Sequence, residues 1–114
     1  MLGIGGWFLR ATDPVALAAW YRDHLGLDVD DAGTWHPAGG PTAFATFSAD
    51  TGYLGSRTQR TMIDFRVRDL DAMGAQLRAA GADVAADVQD VPGIGRFGWV
   101  TDSEGNRVEL WQPS

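Results

Sequence analysis

The chain carries an internal repeat, which limits its fold more than any other feature. Arg10-Ala11-Thr12-Asp13 is matched by Arg66-Val67-Arg68-Asp69, and Leu25-Gly26-Leu27-Asp28-Val29 by Ala80-Gly81-Ala82-Asp83-Val84. The order is the same in both halves, with one residue lost between the two matches. Whatever unit the first half builds, the second is expected to build again. At 114 residues there is room for one hydrophobic core, so the two units must share it.

Each half opens as a strand. Ile63, Phe65 and Val67 form an apolar face, with Met62, Asp64 and Arg66 opposite. Trp7, Leu9 and Ala11 repeat that face in the first half, with Gly6, Phe8 and Arg10 opposite. A helix follows each strand. Asp13-Pro14 is an N-cap with proline at the first helical position, and Asp69 is the matching cap. Leu17, Trp20, Tyr21 and Leu25 mark one helical stripe, and Leu70, Met73, Leu77 and Ala80 the other. Gly26 and Gly81 stand where left-handed helix stops belong. Short strands are predicted near 27–30, 33–37 and 42–48, and again near 83–88, 95–102 and 106–112. Asp102-Ser103-Glu104-Gly105-Asn106 supplies the last turn. The reading is a single α+β domain of two β-α-β-β-β modules, 1–49 and 61–114, joined by a linker at 50–60.

Composition excludes several chemistries. There is no Cys, hence no thiolate nucleophile or thiolate metal ligand, and no Lys to form a Schiff base. Net charge is −6 with no basic stripe, which excludes nucleic acid as a partner and favours cationic ligands. No apolar run approaches the roughly 18 residues that span a bilayer, so no membrane partner is expected. The apolar run Met1 to Leu9 lacks a basic flank and a cleavage site, and reads as a buried strand rather than a signal peptide. The expected location is the cytoplasm.

The tail from Arg96-Phe97-Gly98-Trp99 through Glu104-Gly105-Asn106-Arg107-Val108-Glu109-Leu110-Trp111-Gln112-Pro113 resembles the ending of vicinal oxygen chelate proteins. These include glyoxalase I, the bleomycin resistance proteins and the extradiol dioxygenases. The segment Asp13-Pro14 through Trp20-Tyr21-Arg22-Asp23-His24-Leu25-Gly26-Leu27 is similar to their first helix. The resemblance implies two modules in a curled mixed sheet, helices outside, a ligand cleft within, and a homodimer. It also implies metal ligands at four equivalent points, which here are Gly6, Met62, Phe44 and Glu109. Only Glu109 among them binds a hard or borderline cation, so the family metal site is expected to be lost and no cofactor is implied. A divalent metal enters only through a rearranged set of His36, Asp64 and Glu109.

Glu109 admits two readings: a general base in a dry cleft, or a salt-bridge partner of Arg10, Arg66 or Arg107. His36 is an acid–base candidate or an exposed strand-end residue beside Pro37. His24 suits the C-terminal turn of the first helix. Trp35, Trp99, Trp111, Phe8 and Phe44 are candidates for a stacking pocket, with Phe8, Phe44 and Trp111 on the predicted cleft face. The ligand-binding set is thus Phe8, Arg10, His36, Phe44, Met62, Asp64, Arg66, Arg107 and Trp111. Gly93-Ile94-Gly95-Arg96-Phe97-Gly98 fits G-x-G-x-x-G, but a strand rather than a helix is predicted after it, so it reads as a turn. Three functions remain: a metal-independent small-molecule binder, a glyoxalase- or dioxygenase-type enzyme, and a domain that pairs with another protein.

Overall fold

The computed structural model describes all 114 residues. In chain order the elements are α1 (Pro14–Leu25), β1 (Asp64–Arg66), α2 (Leu70–Ala79), β2 (Asp83–Val84), β3 (Gln89–Val91), β4 (Gly95–Thr101) and β5 (Arg107–Pro113). The sheet runs β1-β5-β4-β2, with β3 also on β4. β1 and β5 are parallel and the other pairs antiparallel, which makes an α+β fold with a mixed sheet.

Both helices start as their sequences require. The Asp13 carboxylate accepts from the Ala16 N–H at 3.0 Å, and Asp69 accepts from Ala72 N–H at 2.9 Å. Gly26 ends α1 at φ 69, a conformation that costs other residues a Cβ clash. α2 ends one residue earlier than the repeat suggests, and Gly81 takes the left-handed turn just after it at φ 82.

Alternation along β5 sends Val108 and Leu110 into the core, where they meet Val100, Leu70 and Leu77 from the second half and Leu17 and Tyr21 from α1. Burying each large aliphatic side chain stabilises the fold by about 1.5–3 kcal/mol. Two polar contacts fasten α1 to the β4–β5 turn. The Tyr21 hydroxyl donates to buried Asp102 at 2.7 Å, and the Glu104 carboxylate accepts from the N–H groups of Thr12 and Asp13 at 2.6 and 3.0 Å.

The first half departs from the prediction. None of the strands expected at 6–11, 27–30, 33–37 and 42–48 forms, and the run Met1 to Leu9, apart from Trp7, is exposed rather than a buried strand; after α1 the chain is irregular up to residue 48, apart from a turn at 31–33. Pro37 and the run Gly39-Gly40-Pro41 remove ladder donors and stiffening side chains where pairing would have to start. Asp30 diverts its neighbours into a local turn by accepting from Ala32 and Thr34 N–H groups at 3.0 and 2.9 Å. The N-terminal segment touches the core mainly through Trp7, edge-on to Tyr21 and Phe65 at 5.4 and 5.7 Å, and through Ala11. In the second half the strand expected at 83–88 shortens to β2, and β3 forms just beyond it, where no strand was expected.

With those strands unpaired, an open apolar groove of about 490 Å³ remains on the helix side, lined by Leu25, Leu27, Trp35, Phe65, Val67 and Met73 among others. This is not the face on which the cleft was expected.

Candidate functional site

The opposite face of the sheet gathers the polar chemistry. Asp64, Glu109 and Trp99 lie in one row across β1, β5 and β4, because Asp64 pairs with Glu109 and Glu109 with Trp99 in the register. Arg66, Trp111 and Phe97 form the next row. Side chains two residues apart on a strand share a face, so this arrangement follows once the register is set.

Glu109 is 7% exposed, and its Oε2 accepts two hydrogen bonds: the Tyr53 hydroxyl at 2.5 Å and the Trp99 indole N–H at 2.9 Å. Tyr53 stands perpendicular to Trp99 with centroids 5.9 Å apart, and Phe47 stacks on its other side at 5.0 Å. The Arg107 guanidinium lies 4.9 Å from the Trp99 ring centroid, a cation–π contact. Gln59 takes the place of a strand residue beside β5. Its amide N–H donates to the Arg107 carbonyl and its amide oxygen accepts from Arg107 N–H, both at 2.7 Å.

Burial pushes the Asp64 carboxyl up to about 7, reinforced by the neighbouring Glu109 carboxylate, with Arg66 pulling the other way. Tyr53 is held well above the usual phenol range by burial and by Glu109, so it remains a donor. Two buried polar atoms here have no partner: Asp64 Oδ1 and Arg107 Nε.

The structure brings together only part of the predicted set. Asp64, Arg66, Arg107, Glu109 and Trp111 share this face; Trp111 stacks on Phe97 at 5.9 Å and donates its indole N–H to the Ile94 carbonyl. Phe8 and Phe44 are 94% and 93% exposed and line no cleft, because the strands meant to carry them do not pair. Arg10 is exposed and makes no ion pair with Glu109. Arg66 donates to the carbonyls of Ala38 and Pro41 instead, tying the first-half loop to β1. Met62 is half-buried just before β1. His36 lies 3.5 Å from Asp30 at the surface, and His24 stacks on Trp20.

The residues do not fit the family's metal. His36 is held away from Asp64 and Glu109, no three His, Asp or Glu side chains are grouped, and Glu109 already satisfies two donors. The G-x-G-x-x-G run is the β3–β4 turn followed by a strand, so no helix N-terminus faces it.

Sequence reasoning missed Tyr53 and Gln59 because both lie in the linker, where the polar, Gly-rich run read as a mere connection. A lone tyrosine in that run was the available signal. Trp99 was a stacking candidate, but its position opposite Glu109 depends on the β4–β5 register.

Residues 7–111 match the family model described as a glyoxalase-like domain. The Mycobacterium tuberculosis protein CFP32, which bears a provisional glyoxylase name, is 38% identical over 50 residues, or 44% of this chain. The match spans only 19% of that curated relative's length. A glyoxylase/bleomycin resistance protein/dioxygenase domain from Frankia sp. EAN1pec has a crystal structure similar over 100% of this chain and 99% of its own, with TM-score 0.67 and 19% identity. TnmS3, an antibiotic binding protein from Streptomyces sp. CB03234, is similar over 91% of this chain and 89% of its own, with TM-score 0.59 and 24% identity. At these identities the two likenesses speak for the fold.

Proposed function

We propose that this chain, which belongs to the glyoxalase-like domain family, binds a small organic molecule with an aromatic or cationic group on the Glu109 face of its sheet, without the metal site of the wider superfamily. The observation that carries this reading is the engagement of Glu109 by Tyr53 and Trp99 inside an aromatic surround, where superfamily members would use it as a metal ligand. Rings and carboxylates together suit a planar or cationic group. The antibiotic-binding activity in TnmS3's name is a use of this fold of the same kind. The test is elemental analysis before and after chelator, thermal melting against manganese, iron, zinc and nickel, and a ligand screen followed at the Trp99 indole resonance. The reading expects saturable ligand shifts and no stoichiometric metal. One-to-one metal with a matching rise in melting temperature would overturn it.

A second reading is favoured by the Asp64–Glu109 pair. A buried carboxyl that keeps its proton toward neutral pH beside a second carboxylate is the usual equipment of acid–base catalysis. In that case the chain is a lyase with Glu109 as base, and Glu109→Gln abolishes turnover while the fold survives.

Either activity is read as cytoplasmic and as belonging to a homodimer. The chain exposes 8220 Å², whereas a folded 12.3 kDa monomer is expected to expose about 6,100 Å². The excess of roughly 2,000 Å² includes the unpaired first half, where Met1, Leu2, Phe8 and Phe44 stand exposed, and a second copy is the covering this reading expects. Sedimentation equilibrium checks this; a monomer at high micromolar concentration would contradict it.

A further inference from the structure

We infer that the ligand of the Glu109 face is a phenol or another planar molecule with an acidic O–H, and that Tyr53 is the chain's own stand-in for it. This rests on the binding reading given above and specifies its ligand.

Every contact a bound phenol needs is already made to one. Glu109 Oε2 accepts the hydrogen bond that the hydroxyl donates at 2.5 Å, in the short range of charge-assisted bonds. The ring meets Trp99 edge-on at 90° and Phe47 face-on at 9°. Nothing in these contacts depends on the phenol being part of the chain.

The tyrosine is also lightly held. The backbone hydrogen bonds from 48 to 59 are local turn bonds, Thr51 N–H to Ser48, Gly55 N–H to Gly52 and Gln59 N–H to Ser56, and none reaches a strand. Tyr53 N–H is taken up locally too, by the Thr51 hydroxyl. Gly52 precedes the tyrosine, and Gly55, at φ 92, follows it. The segment is thus pinned to the sheet by the Tyr53 hydroxyl at one end and by Gln59 at the other. Such a segment swings out at the expense of few bonds. A ligand with an acceptor on its ring gains what Tyr53 lacks, a partner for the buried Arg107 Nε.

The experiment uses 4-cyanophenol, with 4-methoxybenzonitrile as the probe lacking the O–H, followed by the Trp99 indole resonance in wild type and Tyr53→Phe. The expected result is weak phenol binding to wild type and binding tighter by about tenfold or more in Tyr53→Phe, the gain from removing a competing hydrogen bond to a charged group. The methoxy probe should bind neither. Equal affinity for wild type and variant, with the indole resonance shifting in both, overturns the competition and leaves the site in place. No shift in either protein overturns both the competition and the site. If Tyr53→Phe does not fold, Phe47→Leu, which removes only the stack, should tighten phenol binding in the same direction; unchanged or weaker binding there also overturns the inference.

Discussion

Asp64 and Glu109 face each other across the one parallel strand pair in the sheet, and the Asp64 carboxyl keeps its proton up to about pH 7 because burial and the Glu109 charge both oppose its ionisation. The consequence runs opposite to that of most paired carboxylates. The folded value lies above the ordinary 3.8, so between about 4 and 7 the native state binds a proton that the unfolded chain has released.

That stabilisation is complete below about pH 4 and is lost as pH rises through 7, at no more than about 1.4 kcal/mol per pH unit. Asp64→Asn, which cannot ionise, should gain on wild type steadily over this window. Urea denaturation of both proteins at pH 5, 6, 7 and 8 reads the effect. Parallel stability curves would show that Asp64 titrates normally.

Glu109→Gln should cost about 2 kcal/mol at pH 5, because bonds from Tyr53 and Trp99 to a charged acceptor become bonds to a neutral one. The cost should shrink toward pH 8, where losing the Glu109 charge also relieves the ionised Asp64. A penalty that grows with pH would contradict the proposed pair.

Tyr21→Phe removes one of four hydrogen bonds to the buried Asp102, which also accepts from the backbone of Glu104 and Asn106 and from the Asn106 amide. The expected loss is about 1–2 kcal/mol. Amide exchange in α1 should quicken more than in β5, because the lost bond tethers that helix to the turn. Uniform quickening would show that the bond serves the whole core instead.

Gly95→Ala should cost about 3 kcal/mol or more. An added Cβ would run into the Gln112 carbonyl oxygen, at a residue with φ 141. Gly93→Ala, with nothing within 4 Å of the new methyl, should lose only about 1–2 kcal/mol for its positive φ. Thermal melts of the two variants side by side separate contact from conformation.

Much of the second half was legible because its signals are local. Asp69 caps α2, the alternation from Ile63 to Val67 sets the faces of β1, and Asp102 to Asn106 makes the turn. The first half carries the same caps around α1, yet its strands were over-read. A strand is completed by a partner, and short runs broken by Pro37 and Pro41 have little alternation with which to specify one. The site followed the same division. Parity along single strands found Asp64 and Glu109, whereas Tyr53 and Gln59 reach β5 through linker geometry that no periodicity encodes.

The fastening of α1 to the β4–β5 turn changes how the molecule can be engineered. Residues 102–106 form an exposed-looking hairpin tip, the kind of loop usually chosen for inserted epitopes or for opening new chain termini. Here Glu104 supplies the start of α1 with acceptors and Asp102 holds Tyr21, so this tip is a joint between the halves. One inserted residue would displace both carboxylates and loosen the start of α1 from the turn. A new side chain is better placed at Gly39, where an added Cβ meets no atom within 4 Å.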